Sequence, residues 1–194
     1  MLRIHDVVNV VSGTPQFRIA ETLDPAAPVY KFYSQADLEL DLKGLSTDAP
    51  AGKQVRTFDN VRLLAAGEIV FSLISGMAAV VQPARNGRLL TQNYAVLYPS
   101  QAIDGRYLVY LLNESQLVRR QLYIGQQGSI TIKFSMRQLV DLNLPALPPL
   151  EMQKCIGDLY FSQLKLEALK KRVSELETAF VLESMRKAEQ SWTS

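Results

Sequence analysis

One histidine, one cysteine and one tryptophan among 194 residues leave little material for several kinds of chemistry. No Ser-His-Asp triad or Cys-His pair can be built without His5, which lies close to the start of the chain. A lone Cys155 excludes an internal disulfide and fits a reducing compartment, and together with His5 it gives too few ligands for a zinc site. In the helix proposed below, Cys155 reads as a small packed side chain. No apolar run approaches the roughly 18 residues of a membrane span. The opening MLRIHDVVNVVSG carries an acid and lacks the sustained apolar core of a secretory signal, so the chain reads as cytoplasmic. Walker A, GxGxxG and methyltransferase-like Asn-Pro-Pro-Tyr strings are missing, and the carboxylates are scattered, so a non-catalytic protein is expected. There is no internal repeat and no low-complexity tract.

What is present suits one core and one long rod. With 47% hydrophobic and 21% charged residues, the chain can bury a single good core. The net charge of +2 says little, but its distribution is uneven. Residues 1–50 hold four bases and seven acids, whereas residues 51–150 hold ten bases and five acids. The middle of the chain is the basic part, a modest electrostatic invitation to a polyanion.

The opening Leu2–Val11 reads as a short strand or turn ending at the SGTP turn signal, followed by a loop at TLDPAAP. VYKFYS is β-prone, DLELDL reads as a turn or short exposed piece, and STDAPAGK is a loop by its Ser, Asp, Pro and Gly content. The runs EIVFSLISG, AAVVQ and LLTQNYAVLYP are separated by Gly76 and by a turn at PARNGR, which predicts three strands of one sheet. Apolar residues at Leu108, Leu111, Leu112, Val118 and Leu122 predict a helix over Tyr107–Leu122 covering one sheet face. IGQQGSITIKFS then reads as a Gly-rich loop feeding a strand, and MRQLVDLNL as a short helix or turn.

The end of the chain organises the rest. Pro145, Pro148 and Pro149 fix φ and remove amide donors, so the backbone up to Pro149 is extended and a helix starts there. Glu151 sits where the helix dipole favours an acid, and apart from Gly157 nothing interrupts the pattern as far as Lys187. Leu159, Leu166, Leu169, Val173, Leu176 and Phe180 fall at the spacing of a coiled-coil seam, which requires a partner helix. The alternative is an amphipathic helix packed on its own domain. The expected architecture is α+β: a mixed α/β domain over residues 1–148, then a long helix over 149–190 that pairs as a coiled coil.

Two stretches carry groups suited to nucleic acid. PARNGRLLTQN places Arg85, Asn86 and Arg88 in one turn, with Gln92 and Asn93 shortly after. Arg offers two donors to a guanine edge, and Asn or Gln does the same for adenine. The same string is also the composition of a solubilising hairpin turn. In GQQGSITIK, two glycines let the backbone approach a phosphate, Gln126 and Gln127 reach toward base edges, and Ser129 and Lys133 offer phosphate donors. Arg119 and Arg120 cannot both face a core and flank the same surface. Of Tyr94, Tyr98 and Tyr123, strand alternation assigns most to core packing.

The LPALPPLEMQ junction entering a long helix resembles the end of a target-recognition domain in the specificity subunits of Type I restriction-modification systems, where the usual form is iPLPPLeeQ. GEIVFSLISGMAAVV, LLTQNYAVLYP, YLVYLLNES and GSITIKFSMRQLVDLNLPALPPL match further family segments in the family's order. The resemblance covers most of the chain and is weakest before Ala51 and after Phe180. It implies a sequence-specific DNA-recognition subunit with one recognition domain and one helix where family members carry two of each. A homodimer through Leu159, Leu166, Leu169, Val173, Leu176 and Phe180 would then read a bipartite palindrome on double-stranded DNA. The resemblance further implies docking to methyltransferase subunits that use S-adenosylmethionine, and to a restriction subunit using ATP and Mg where one exists, with no cofactor in this chain. Two other readings stand beside it: half of a split specificity subunit that pairs with a different recognition chain, and a coiled-coil interaction protein that does not bind DNA.

Overall fold

A computed structural model describes residues 2–47, 52–124 and 133–192 of the chain. The first residues form a short strand β1 (Leu2–Arg3), a single helical turn α1 (Ile4–Val7) and the edge strand β2 (Val8–Ser12). A small hairpin-like pair follows from β3 (Val29–Lys31) and β4 (Gln54–Arg56), with helix α2 (Gln35–Leu42) between them. The three apolar runs are the strands β5 (Ile69–Ser72), β6 (Ala78–Val80) and β7 (Tyr94–Pro99). They join β2 in an antiparallel sheet of order β2-β7-β5-β6, with Val70 opposite Val96 and Val10 opposite Leu97.

Both faces of this sheet are covered, which explains why β5 is buried at every position rather than alternating. Helix α2 lies on the face of Ser72, whose hydroxyl donates to Gln35 Oε1 at 3.2 Å. Helix α3 (Gly105–Glu114) starts against Ile69 on the other face, where a Cβ on Gly105 would lie 3.0 Å from the Ile69 side chain. The charged stretch DLELDL is thus a helix and not a turn. Ser34 caps it by accepting the Asp37 amide, and Asp37 answers by accepting the Ser34 amide.

The helix predicted over Tyr107–Leu122 is two helices, α3 and α4 (Gln116–Ile124). Ser115 between them is extended at ψ 117°, so each helix turns its own apolar stripe inward. Leu108, Leu111 and Leu112 enter the core from α3, and Val118 and Leu122 from α4. Short α5 (Met136–Val140) and β8 (Asn143–Leu144) follow, and β8 pairs with β1, so the end of the globular part returns to its beginning. A smaller apolar cluster of Phe32, Val55 and Leu89 holds the β3–β4 lobe to the stretch that leads into β7.

Beyond the prolines, helix α6 runs from Leu150 to Trp192, 43 residues or about 64 Å at a rise of about 1.5 Å per residue. The Pro149 carbonyl accepts from Met152 and Gln153, and the side chain of Gln153 is buried at the junction. Gln153 accepts the Asp104 amide at 2.9 Å and donates to the carbonyls of Pro148 and Ala102 at 2.8 and 3.3 Å. One glutamine therefore ties the proline run, the start of α3 and the start of α6 together. Four residues on, Gly157 lets α6 cross α3 closely: a Cβ there would stand 2.7 Å from Arg106 Cβ and 2.8 Å from the Tyr107 nitrogen. Among the described residues no helix is long and apolar enough to cross a membrane.

Candidate functional site

The PARNGR turn divides in the structure. Arg85 has no exposed side-chain surface. Its Nε donates to Asp41 Oδ1 at 2.9 Å, its Nη1 to the Thr47 carbonyl at 2.9 Å, and its Nη2 to the Leu45 carbonyl. Asp41 is completed by the Gln82 amide at 2.9 Å and the Tyr33 hydroxyl at 2.8 Å. Burial pushes the Asp41 carboxyl up from its ordinary value, while Gln82, Tyr33 and Arg85 pull it back. Reading Arg85 as a groove-facing residue is thereby corrected: it is the internal brace that ties this turn to α2. Arg88 is corrected in the same way, since it is buried with Nη2 3.7 Å from the Asp37 carboxylate. Asn86 is exposed, with Oδ1 accepting the Ala66 amide at 3.2 Å.

The other candidates gather at the opposite end of the sheet, where β2 and β5 finish and β6 and β7 begin. Gln92 is exposed and its amide donates to the Thr14 carbonyl at 3.0 Å. Asn93 is half-buried and its carbonyl accepts the Leu73 amide. The same residue, Leu73, accepts the Phe134 amide at 2.8 Å, which brings exposed Lys133 to this end as well. Arg119 arrives from α4, donating to the Gly76 carbonyl at 2.9 Å and to the Tyr123 hydroxyl at 2.7 Å while stacking over the Tyr123 ring. It is a clamp between α4 and the β5–β6 turn as much as a surface charge, whereas Arg120 is exposed. Gln126, Gln127 and Ser129 lie outside the described residues.

Of the three tyrosines weighed for base contact, Tyr94 is buried edge-on to Tyr33 at 5.4 Å, and burial raises its hydroxyl pKa to about 12. Tyr98 donates to Glu68 at 2.6 Å beside Arg62, so both are engaged across the sheet. Only Tyr123 presents its ring to solvent. His5 is exposed and donates through Nδ1 to the Val140 carbonyl at 3.0 Å.

Helix α6 separates its two apolar stripes. Gln153, Gly157, Tyr160, Phe161 and Leu164 face the globular part, with Tyr160 donating to Glu114 at 2.9 Å and Arg106 meeting Asp158 at 2.5 Å. At about 100° per residue, the stripe Leu159, Leu166, Leu169, Val173, Leu176 and Phe180 points roughly the opposite way. All six are exposed, Phe180 at 74%. The predicted seam is therefore exposed along its length, with Leu169 also bordering a cleft against Lys43, Leu45 and Thr47 of the globular part. Cys155 sits on that outer face and is exposed, so the expectation of a packed cysteine is corrected. Met152 extends the same stripe to the start of the helix.

A mixed α/β domain whose sheet is covered on both faces, joined at a proline run to a long projecting helix, is a distinctive arrangement. No family model and no curated protein matches this chain. Among solved structures it is similar to the HsdS subunit from Thermoanaerobacter tengcongensis, at 19% identity and a TM-score of 0.53 over 92% of this chain and 39% of that one. It is also similar to a chain from a structure of complex assembly in the type I R-M system, at 18% identity and a TM-score of 0.60 over 96% of this chain and 43% of that one. The chain thus has the HsdS fold and spans less than half the length of these proteins.

Proposed function

We propose that this chain is a non-catalytic DNA-recognition subunit of a Type I restriction-modification assembly. In this reading residues 1–148 are the recognition domain, and residues 149–190 are a spacer helix that pairs with the helix of a second copy. The observation that carries the reading is the outward stripe on α6. The six apolar side chains of that stripe are exposed and spaced as the seam of a helix pair. A second copy would cover that seam, and its two-fold symmetry would make the target a split palindrome.

Gln92, Asn93, Arg120 and Lys133, together with Gln126, Gln127 and Ser129, would face the DNA. The Arg119 clamp would hold that end in shape. Methyltransferase subunits carrying S-adenosylmethionine would dock on the dimer, as would a restriction subunit using ATP and Mg where one exists.

The test joins solution mass to DNA selection. Light scattering should give about twice the 21.7 kDa of the chain across a wide concentration range. The dimer, with its methyltransferase partner, should enrich a palindromic split site from a pool of randomised duplexes. A stable monomer that enriches an asymmetric site only with a second chain added would replace the homodimer by a split subunit. Failure to retain any duplex at low salt would end the DNA reading.

A further inference from the structure

The buried guanidinium of Arg85 fixes a stretch of backbone at the surface. Its donors hold the Leu45 and Thr47 carbonyls, Gly44 turns the chain at φ +63°, and the Leu45 amide returns to the Leu40 carbonyl at 2.9 Å. Lys43 and Thr47 are nevertheless exposed, and Leu45 is half-buried. The wall formed by residues 43–47 stands against α6, where a Cβ on Gly44 would lie 4.0 Å from Lys165 Cδ. Between the wall and the helix is a cleft of about 740 Å³. Leu45, Leu164, Ala168 and Leu169 give it apolar lining, and Lys43, Lys171, Arg172, Glu167 and Glu175 give it charges of both signs. The charge selects no occupant, and the mixture of apolar and charged lining is that of a protein contact rather than of a phosphate track.

The position of the cleft on the helix names the occupant. At about 100° per residue, Lys165 and Arg172 lie on one flank of the seam beside Leu169, with Ala168 and Leu164 further round toward the globular part. Leu169 belongs to the seam and to the cleft at once. A helix laid along the seam therefore has the wall of residues 43–47 along one of its sides. The seam also needs such a supplement. Burying a whole Leu or Phe side chain corresponds to roughly 60–120 Å², so six of them exposed by 46–74% offer roughly 200–400 Å² of apolar surface. A stable interface of standard size takes about 800 Å² from each partner, of which roughly 450 Å² is apolar. The six side chains fall short of that on their own.

We infer that the wall of residues 43–47 and α6 form one groove that grips the α6 of a second copy, so that each globular part touches the helix of the other. Two-fold symmetry makes the contact twice, once on each side of the helix pair. Arg85 and Asp41, which never reach the surface, set the position of the wall and with it the width of the groove. The inference rests on the paired-helix reading above and adds to it a contact outside the seam.

Thr47→Glu and Ala168→Glu each place a charge in the cleft without altering the seam. Thr47 is exposed and Ala168 half-buried, so circular dichroism and melting should be unchanged. The full-length chain, these two variants and Ser174→Glu, at an exposed position on the outer side of α6, would be compared by sedimentation equilibrium over a wide concentration range. Each cleft variant should weaken the dimer about five- to twentyfold, and Ser174→Glu by less than about twofold. Hydrogen exchange on the unaltered chain reads the same contact without a substitution. The amides of Ser46 and Thr47 should exchange about tenfold more slowly in the dimer than in the monomer obtained by dilution. Should either variant lose its fold, the exchange result decides. A wild-type dimer whose dissociation constant neither cleft variant moves beyond about twofold, with Ser46 and Thr47 exchanging alike in dimer and monomer, would overturn the inference and leave the seam pairing intact. A wild type that stays monomeric throughout would overturn both.

Discussion

Replacing Arg85 by Met keeps the length of the side chain and removes its charge, and the cost follows from what it leaves behind. The Asp41 carboxylate would retain the Gln82 amide and the Tyr33 hydroxyl but lose its cation in a site with no solvent access, and the Leu45 and Thr47 carbonyls would lose a donor each. Breaking a buried pair from one side costs about 3–5 kcal/mol, a large share of a typical stability of roughly 5–15 kcal/mol. For a chain of this size that is a fall in Tm of roughly 6–20 °C.

The pH dependence has a definite sign. Burial already raises the Asp41 pKa, and losing Arg85 raises it further. A carboxyl whose folded pKa exceeds its unfolded value contributes stability that is present at low pH and lost as pH rises through the folded pKa. The Arg85→Met defect should therefore shrink in mild acid and widen toward neutrality. Adding Asp41→Leu should recover much of the loss, since an apolar pair of similar volume replaces a buried ion pair at little cost. Calorimetry of the single and double variants at two pH values reads all three effects. If Arg85→Met melts within a few degrees of the wild type while losing duplex binding, Arg85 faces DNA and the brace described above does not exist.

Gly157→Ala should cost about 1–3 kcal/mol, because the new methyl meets Arg106 Cβ and the Tyr107 backbone at the helix crossing; urea unfolding measures it. Gln153→Ala strands the Asp104 amide and the Pro148 and Ala102 carbonyls and should lose a further 1–3 kcal/mol or about that, read by the same titration. Leu169→Asp with Leu176→Asp should leave the globular fold unchanged and give monomers by light scattering; an unchanged assembly mass would remove the seam as the contact. Tyr94 has a folded pKa raised to about 12, so its stabilising effect is whole below its unfolded value of about 10 and is lost above it. Stability should drop over that alkaline interval, and less steeply in Tyr94→Phe if the fold tolerates it.

The three central strands and the long helix were legible because each is written in an uninterrupted local signal: apolar β-prone runs bounded by glycine turns, and a proline stop followed by a heptad stripe. Helix α2 was not, because two of its four buried positions, beside Leu38 and Leu42, are Asp37 and Asp41, and a carboxylate reads as solvent-facing until its partners are known. Arg85 and Arg88 failed for the complementary reason. Their carboxylate partners lie more than forty residues upstream in the sequence, so composition alone showed free cations at a turn. The break at Ser115 had a visible hint in the run Asn-Glu-Ser, none of which favours the middle of a helix over a cap as strongly as the leucines around it favour the core.

The crossing at Gly157 lies 35 residues from the far end of α6 at Trp192, about 52 Å along the axis at about 1.5 Å per residue. Mechanically the helix is a lever whose fulcrum is that contact and the Gln153 knot one turn before it. An angular error of 5° at the fulcrum moves the tip by about 4.6 Å over that arm of about 52 Å, more than the roughly 3.4 Å between successive nucleotides of a DNA strand. A glycine that leaves no space between two helices and a buried glutamine with three backbone partners hold that angle. The position of the helix tip is thus set by a few ångströms at the hinge and not by the length of the arm.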